Sequence, residues 1–283
     1  MKRTILTRIF ELNVLTFLVL MSYFFRPLWL IPVYFVAALG LIYLQGSIVI
    51  LTMIFLLPSK PNKRIFGFLL SNSVYFLNLY IFRQKYIFKG THNVEKNKTY
   101  LFVSNHKSEL DPFGYLEIYD KLKLAFTPKS ELYKSLILRK VFKMLNCIKI
   151  YRADIRKTLV EMNIGIQKAQ AGQSFLTYIE GGIKNRAIEE IEEVRPAALK
   201  LAYKSKAEIM PVASFGMVKK TKFFPLKRKT VYLYFLEPIS YNSYCLEPTE
   251  GLALKLKDQI NIKIKQHREE ISYDNVWFDF KKT

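Results

Sequence analysis

Acidic residues are scarce in this chain. Of 283 residues only 23 are Asp or Glu, against 44 Lys or Arg, which leaves a formal net charge of +21 at neutral pH. Such an excess calls for an anionic counterpart: nucleic acid, an anionic membrane face or a phosphorylated substrate. Cysteine is nearly absent too. Cys147 and Cys245 stand far apart, with no Cys-x-x-Cys pair and no Cys/His cluster, which argues against both a disulfide framework and a structural zinc site. Reduced thiols in a cytosol-facing domain are expected instead. Internal repeats and low-complexity segments are missing. No small-x-small site closes a short apolar core, as a cleaved signal peptide would require.

Apolar side chains are plentiful, at 51% of the chain, and aromatics reach 15%. That is too apolar for a basic disordered tail and too aromatic for an ordinary DNA-binding domain, so anionic membrane lipid is the expected partner and nucleic acid is not. The apolar residues are unevenly placed. Between Leu12 and Leu57 the only charge is Arg26, and Asn13 and Gln45 are the only amides. A bilayer core takes ~20 apolar residues per helix, so this stretch has room for a transmembrane or membrane-embedded hairpin joined near Arg26-Pro27 or Pro32; a single tilted helix preceded by an interfacial one also fits.

Lys2, Arg3 and Arg8 precede that stretch and Lys60, Lys63 and Arg64 follow it. The positive-inside rule then puts both ends in the cytoplasm, with the remaining domain facing the cytoplasm at the cell membrane. The division expected is a hairpin over 1–57, a basic linker and interfacial helix over 58–84, and a soluble-type domain over 85–283. Within 65–82 the polar Ser71, Asn72, Ser73 and Asn78 break an apolar pattern, as in an amphipathic helix lying on the interface or packing the next domain onto it.

Beyond residue 84, short apolar runs alternate with helical patterns. Strands are expected at Tyr100–Val103, Leu122–Phe126, Cys147–Ile150, Ser174–Ile179, Ile209–Ser214 and Thr230–Leu236. Helices are expected at Pro112–Lys121, Glu131–Leu145, Ile155–Ala171 and Pro196–Ser205, the third with Leu159, Met162, Ile166 and Ala169 on one face. The alternation predicts an α/β domain with a largely parallel central sheet flanked by helices. A C-terminal amphipathic helix, with Leu252, Leu256, Ile260 and Ile264 set against lysines, closes the chain.

Of three histidines, His106 stands out, because it sits where a buried strand ends and a helix begins, within "SNHKSELDP". Ligand-handling groups in α/β sheets collect at such junctions. A neutral imidazole there can take a proton from a hydroxyl, and a carboxylate on its other nitrogen would fix the tautomer. Asp111 can be that carboxylate if the loop folds back, or it can simply cap the helix that starts at Pro112.

The segment "NHKSELD" resembles the Asn-His-x4-Asp motif of the glycerolipid acyltransferases, whose bacterial members acylate 1-acyl-glycerol 3-phosphate. Further blocks follow in the family's order: "FTPKSELYK" at Phe126–Lys134, "IKIYRADIRKT" at Ile148–Thr158, "TYIEGGIKNR" at Thr177–Arg186 and "RPAALKLAYKSKAEIMPVASFG" at Arg195–Gly216. The likeness implies His106 as general base and Asp111 as its orienting partner. It also implies that Asn105, Lys129, Arg152, Glu180, Gly181 and Gly182 shape the acceptor site and its phosphate subsite. Lysine and arginine on separate loops suit a dianion, and paired glycines let backbone amides approach one.

One block departs from the family pattern. Ile179 stands where proline is usual, and Gly182-Ile183 replace Thr-Arg, so Arg186 or Lys184 has to reach the phosphate from a shifted loop. The activity implied is transfer of a fatty acyl chain from an acyl-carrier-protein or coenzyme A thioester to a lysophospholipid hydroxyl, with no metal or redox cofactor. Other lysophospholipids, glycerol 3-phosphate and non-catalytic lipid binding are the alternatives.

Overall fold

The computed structural model describes residues 5–24, 30–56, 63–218 and 228–280. The hairpin turn expected at Arg26-Pro27, the flanking Lys2, Arg3 and Lys60, and most of the linker from Pro58 lie outside those residues. A six-stranded sheet organises the rest: β1 (Gln84–Lys89), β2 (Tyr100–Ser104), β3 (Ala125–Phe126), β4 (Phe175–Tyr178), β5 (Glu208–Phe215) and β6 (Lys229–Phe235), in the spatial order β1-β6-β5-β2-β4-β3. β2 lies at its centre, with Leu101 level with Phe175 on one side and Ile209 on the other.

The sheet is mixed but largely parallel, as expected, with four of its five strand pairings parallel. β3, β4, β2 and β5 run together, but β5 and β6 are antiparallel, and β1, parallel to β6, is reversed with it. The chain bends at Gly216, whose φ of 99° suits glycine, and returns as β6 beside the strand it has just left, which fixes the opposite direction. Two expected strands shrink. Tyr119–Leu122 is a helical turn ended by Lys123 at φ 46°, so only Ala125–Phe126 pairs, and the Cys147–Ile150 run makes a single bridge, Ile150 to Lys129.

Both faces of the sheet are covered, and a central strand can therefore be apolar throughout. Tyr100 and Phe102 of β2 enter one core with α3 (Lys63–Phe76), α4 (Asp111–Glu117), α5 (Tyr119–Leu122) and α6 (Leu136–Met144). Leu101 and Val103 enter the other, with α7 (Ile155–Gln170), α8 (Lys200–Ser205) and, after the short α9 (Tyr241–Tyr244), α10 (Thr249–Phe280). The α10 stripe Leu252, Leu256, Ile260 and Ile264 is buried as its spacing indicates, whereas Leu159 of α7 points outward.

Polar residues of α3 and of the π-helical turn after it face inward. Ser71 accepts from the Asp120 amide at 3.1 Å, and Asn78 donates to Glu117 Oε2 at 2.7 Å. Burial pushes the Glu117 carboxyl up from 4.5 to about 7. The folded state therefore binds this proton more tightly than the unfolded one, so the stability it lends is complete below pH 4.5 and lost as pH rises through 7. We expect Glu117→Gln to abolish that loss, worth up to about 3 kcal/mol, in melting curves taken across this range.

Two N-terminal helices, α1 (Ile5–Phe24) and α2 (Ile31–Leu56), precede α3. Among the described residues no helix is long and apolar enough to cross a membrane, so the spanning hairpin expected over 1–57 is not supported. Instead the pair is folded onto the domain. α2 crosses α3 at Gly46, where a Cβ would run into the Phe76 ring, and Tyr80 donates to Glu11 of α1 at 2.9 Å. The outward faces stay apolar: Leu12, Leu15 and Val19 of α1, and Val33, Val36, Leu44 and Ile48 of α2, are exposed.

Candidate active site

β2 delivers the chain to the carboxyl edge of the sheet, and Asn105 pins it there. Its amide donates to the carbonyls of Ser214 (2.8 Å) and Glu189 (3.0 Å) and accepts from the Ser214 amide at 2.8 Å. Asn105 is buried, so it ties the ends of β2 and β5 to the 187–190 loop and does not face outward.

From that tie the loop folds back. Asp111 Oδ2 lies 2.8 Å from His106 Nδ1 and also accepts the amides of Lys107 (2.8 Å) and Ser108 (3.0 Å). The helix-capping reading of Asp111 gives way: α4 has Leu110 as N-cap, without a side-chain cap bond, and Asp111 is its first residue. Three donors on one buried oxygen hold the carboxylate in place. The imidazole is stacked on Tyr178, centroids 3.9 Å apart and planes 8° from parallel, and its side chain is 17% exposed. With Nδ1 taken by Asp111, Nε2 is the nitrogen free to accept a proton.

Glu180 is used from within. Oε1 accepts the His106 amide at 2.7 Å and Oε2 takes the Lys107 ammonium at 2.6 Å; both side chains of that ion pair are 1% exposed. Position 180 therefore anchors the histidine loop from below. Neither Lys107 nor Tyr178 was expected from the sequence. A lysine beside a charged loop reads as surface, and the aromatic at the end of β4 reads as ordinary core. The order of strands brings Tyr178 under the imidazole and Glu180 to Lys107.

Beside this pair lies a basic and glycine-rich corner. The Arg152 guanidinium donates to the Gly181 carbonyl at 2.9 Å and covers Gly182, where a Cβ would lie 2.8 Å from Nη2. Gly181, at φ 69°, closes a turn with its amide on the Tyr178 carbonyl (2.9 Å), so this amide is already committed. Lys129 is exposed and bridged to Ile150, two positions before Arg152. Arg186 grips Glu109 through both nitrogens and holds that carboxyl down at about 2; Lys184 pairs with Glu193 at 3.4 Å. Each of the two basic residues suggested for the missing family arginine is thus held by a carboxylate. Among the described residues no group of His, Cys, Asp and Glu forms a metal cluster.

The α/β sheet thus presents a carboxylate-oriented imidazole at the end of its central strand, with a cationic glycine corner alongside. Residues 85–214 match the family model described as Acyltransferase. A probable 1-acyl-sn-glycerol-3-phosphate acyltransferase of Mycoplasma genitalium is 32% identical over 162 residues, covering 51% of this chain and 59% of that protein. A protein of the same description from Mycoplasma pneumoniae is 31% identical over 145 residues, covering 50% and 53%. The chain thus spans little more than half the length of these curated relatives. The crystal structure of the 1-acyl-sn-glycerophosphate (LPA) acyltransferase PlsC from Thermotoga maritima superposes with a TM-score of 0.57 over 94% of this chain and 96% of that one; at 18% identity the likeness is one of fold.

Proposed function

We propose that the protein is a membrane-bound acyltransferase that moves a fatty acyl chain from an acyl thioester to the free hydroxyl of 1-acyl-glycerol 3-phosphate. The observation that carries this reading is the 2.8 Å contact of His106 Nδ1 with Asp111, which leaves Nε2 as base. The acceptor hydroxyl passes its proton to Nε2 as its oxygen attacks the thioester carbonyl, and the tetrahedral intermediate expels the thiolate. The imidazolium then returns that proton to the leaving sulfur, while Asp111 stabilises the transient cation. Arg152 and Lys129 supply positive charge for the acceptor phosphate, and the cationic surface suits acyl-carrier protein or coenzyme A as carrier of the thioester. The exposed apolar faces of α1 and α2 support attachment to the bilayer in which acceptor and product reside.

The test is an acyl-transfer assay on purified protein with a panel of lysolipids and both thioester donors. The highest kcat/KM is expected with the phosphate monoester acceptor, and transfer to every lysolipid except that one would overturn the assignment. In the same assay Gly182→Ala, which crowds Arg152, raises KM for the phosphate-bearing acceptor several-fold, about 1 kcal/mol of binding, and changes kcat little.

A further inference from the structure

We propose that the first turn of α6 is a lipid-inserting tip that seats the acceptor side of the site on an anionic bilayer; the inference rests on the acyltransferase reading above. Leu136, Ile137 and Leu138 are consecutive and are 68%, 43% and 37% exposed. Residues ~100° apart around a helix cannot all turn inward, and α6 meets its core through Val141, Phe142 and Met144 instead. The three apolar side chains are therefore surplus to the fold, displayed on a helix end that Ser135 caps by accepting the Leu138 amide.

Charge says what covers them. From Leu132 to Ala153 the chain contains no carboxylate but holds Lys134, Arg139, Lys140, Lys143, Lys149 and Arg152. An apolar tip inside a basic collar matches a surface whose headgroups are anionic and whose interior is hydrocarbon, whereas an acidic protein would engage the collar and leave the tip in water. Position agrees. α6 is the spur of chain between Lys129 and Arg152, the two cations of the glycine corner, and it packs against α2, whose outer side is already apolar. Insertion of the tip would set that corner at headgroup depth, so that an acceptor enters without leaving the bilayer.

The full chain carrying Ile137→Trp, bound to phosphatidylglycerol–phosphatidylcholine vesicles, reports on this contact. Its added fluorescence should be quenched by lipids brominated in the acyl chains. Val160→Trp, on an exposed position of α7 across the sheet, should escape quenching. Leu136→Ser/Leu138→Ser should lower transfer to a vesicle-embedded acceptor about tenfold, yet leave transfer to a dispersed short-chain acceptor unchanged, and Arg139→Glu/Lys143→Glu should remove the preference for anionic vesicles. An unquenched Ile137→Trp, or equal quenching at 160, overturns the proposal. Absence of transfer to the dispersed acceptor in the unmodified protein overturns the acyltransferase reading and leaves the quenching result intact.

Discussion

His106→Ala is expected to lower acyl-transfer turnover about 10²–10⁴-fold, the range that loss of a positioned general base entails. The fold should survive, because Asp111 keeps the Lys107 and Ser108 amides without the imidazole. Lysolipid binding should persist, since Arg152 and the glycines are held independently of the imidazole. Asp111→Asn acts differently. An asparagine oxygen still accepts the two amides, but the group no longer carries the charge that steadies an imidazolium, so kcat falls and KM for the acceptor does not. Rate measurements with each variant at saturating thioester separate the two effects.

The second large effect belongs to Lys107. Its ammonium meets Glu180 where neither is wetted, and removing one partner of a buried ion pair leaves an uncompensated charge that costs about 3–5 kcal/mol. Lys107→Met should destabilise the protein by that order in denaturant titrations and reduce kcat as the histidine loop loosens. Lys107→Met with Glu180→Gln should recover most of the stability, because a glutamine oxygen can still accept the His106 amide and no lone charge remains. KM for the acceptor in this double variant discriminates between two roles. The resemblance implies that position 180 shapes the acceptor site, whereas both its oxygens engage the histidine loop. An unchanged KM identifies Glu180 as a positioning residue; a rise comparable to that of an Arg152 variant identifies it as a ligand.

Much of the domain was legible because its strands and helices obey simple periods. Tyr100–Val103 reads as a buried strand from four successive apolar residues, and the structure extends it by Ser104; the α10 stripe falls on its expected face. β1 was not read as a strand, since "QKYIFK" at a sheet edge mixes polar and apolar side chains. The one antiparallel pairing, β5 with β6, was not anticipated because alternation of strand and helix stops at β5, and the return into β6 carries no helical period. Leu159 was placed by spacing on one face with Met162, Ile166 and Ala169, but it lies at the margin of that face and is 53% exposed whereas Ala169 is buried.

At the site, the dyad could be posed as a question from "NHKSELD" but not answered. A separation of five residues does not align two groups on a helix, and the contact depends on a loop closed by backbone amides. What sequence had no means to indicate is the supporting role of the layer beneath: Tyr178 ends β4 and Glu180 follows in the turn after it, and β4 is the neighbour of β2 in space although these residues are more than seventy positions from His106. The long stretch from Leu12 to Leu57, with Arg26 as its one charge, suggested bilayer-spanning helices because hydropathy records length and polarity. It does not record that Gly46 lets α2 press onto α3.

The most direct measurement follows both products of one reaction. With 1-acyl-glycerol 3-phosphate and a fatty acyl thioester, the unmodified protein should release one thiol for each phosphatidic acid formed, and His106→Ala should form neither above background. Phosphatidic acid made at the unmodified rate by the His106→Ala protein would contradict the account, because the proton would then be leaving the hydroxyl by some route other than the imidazole held by Asp111.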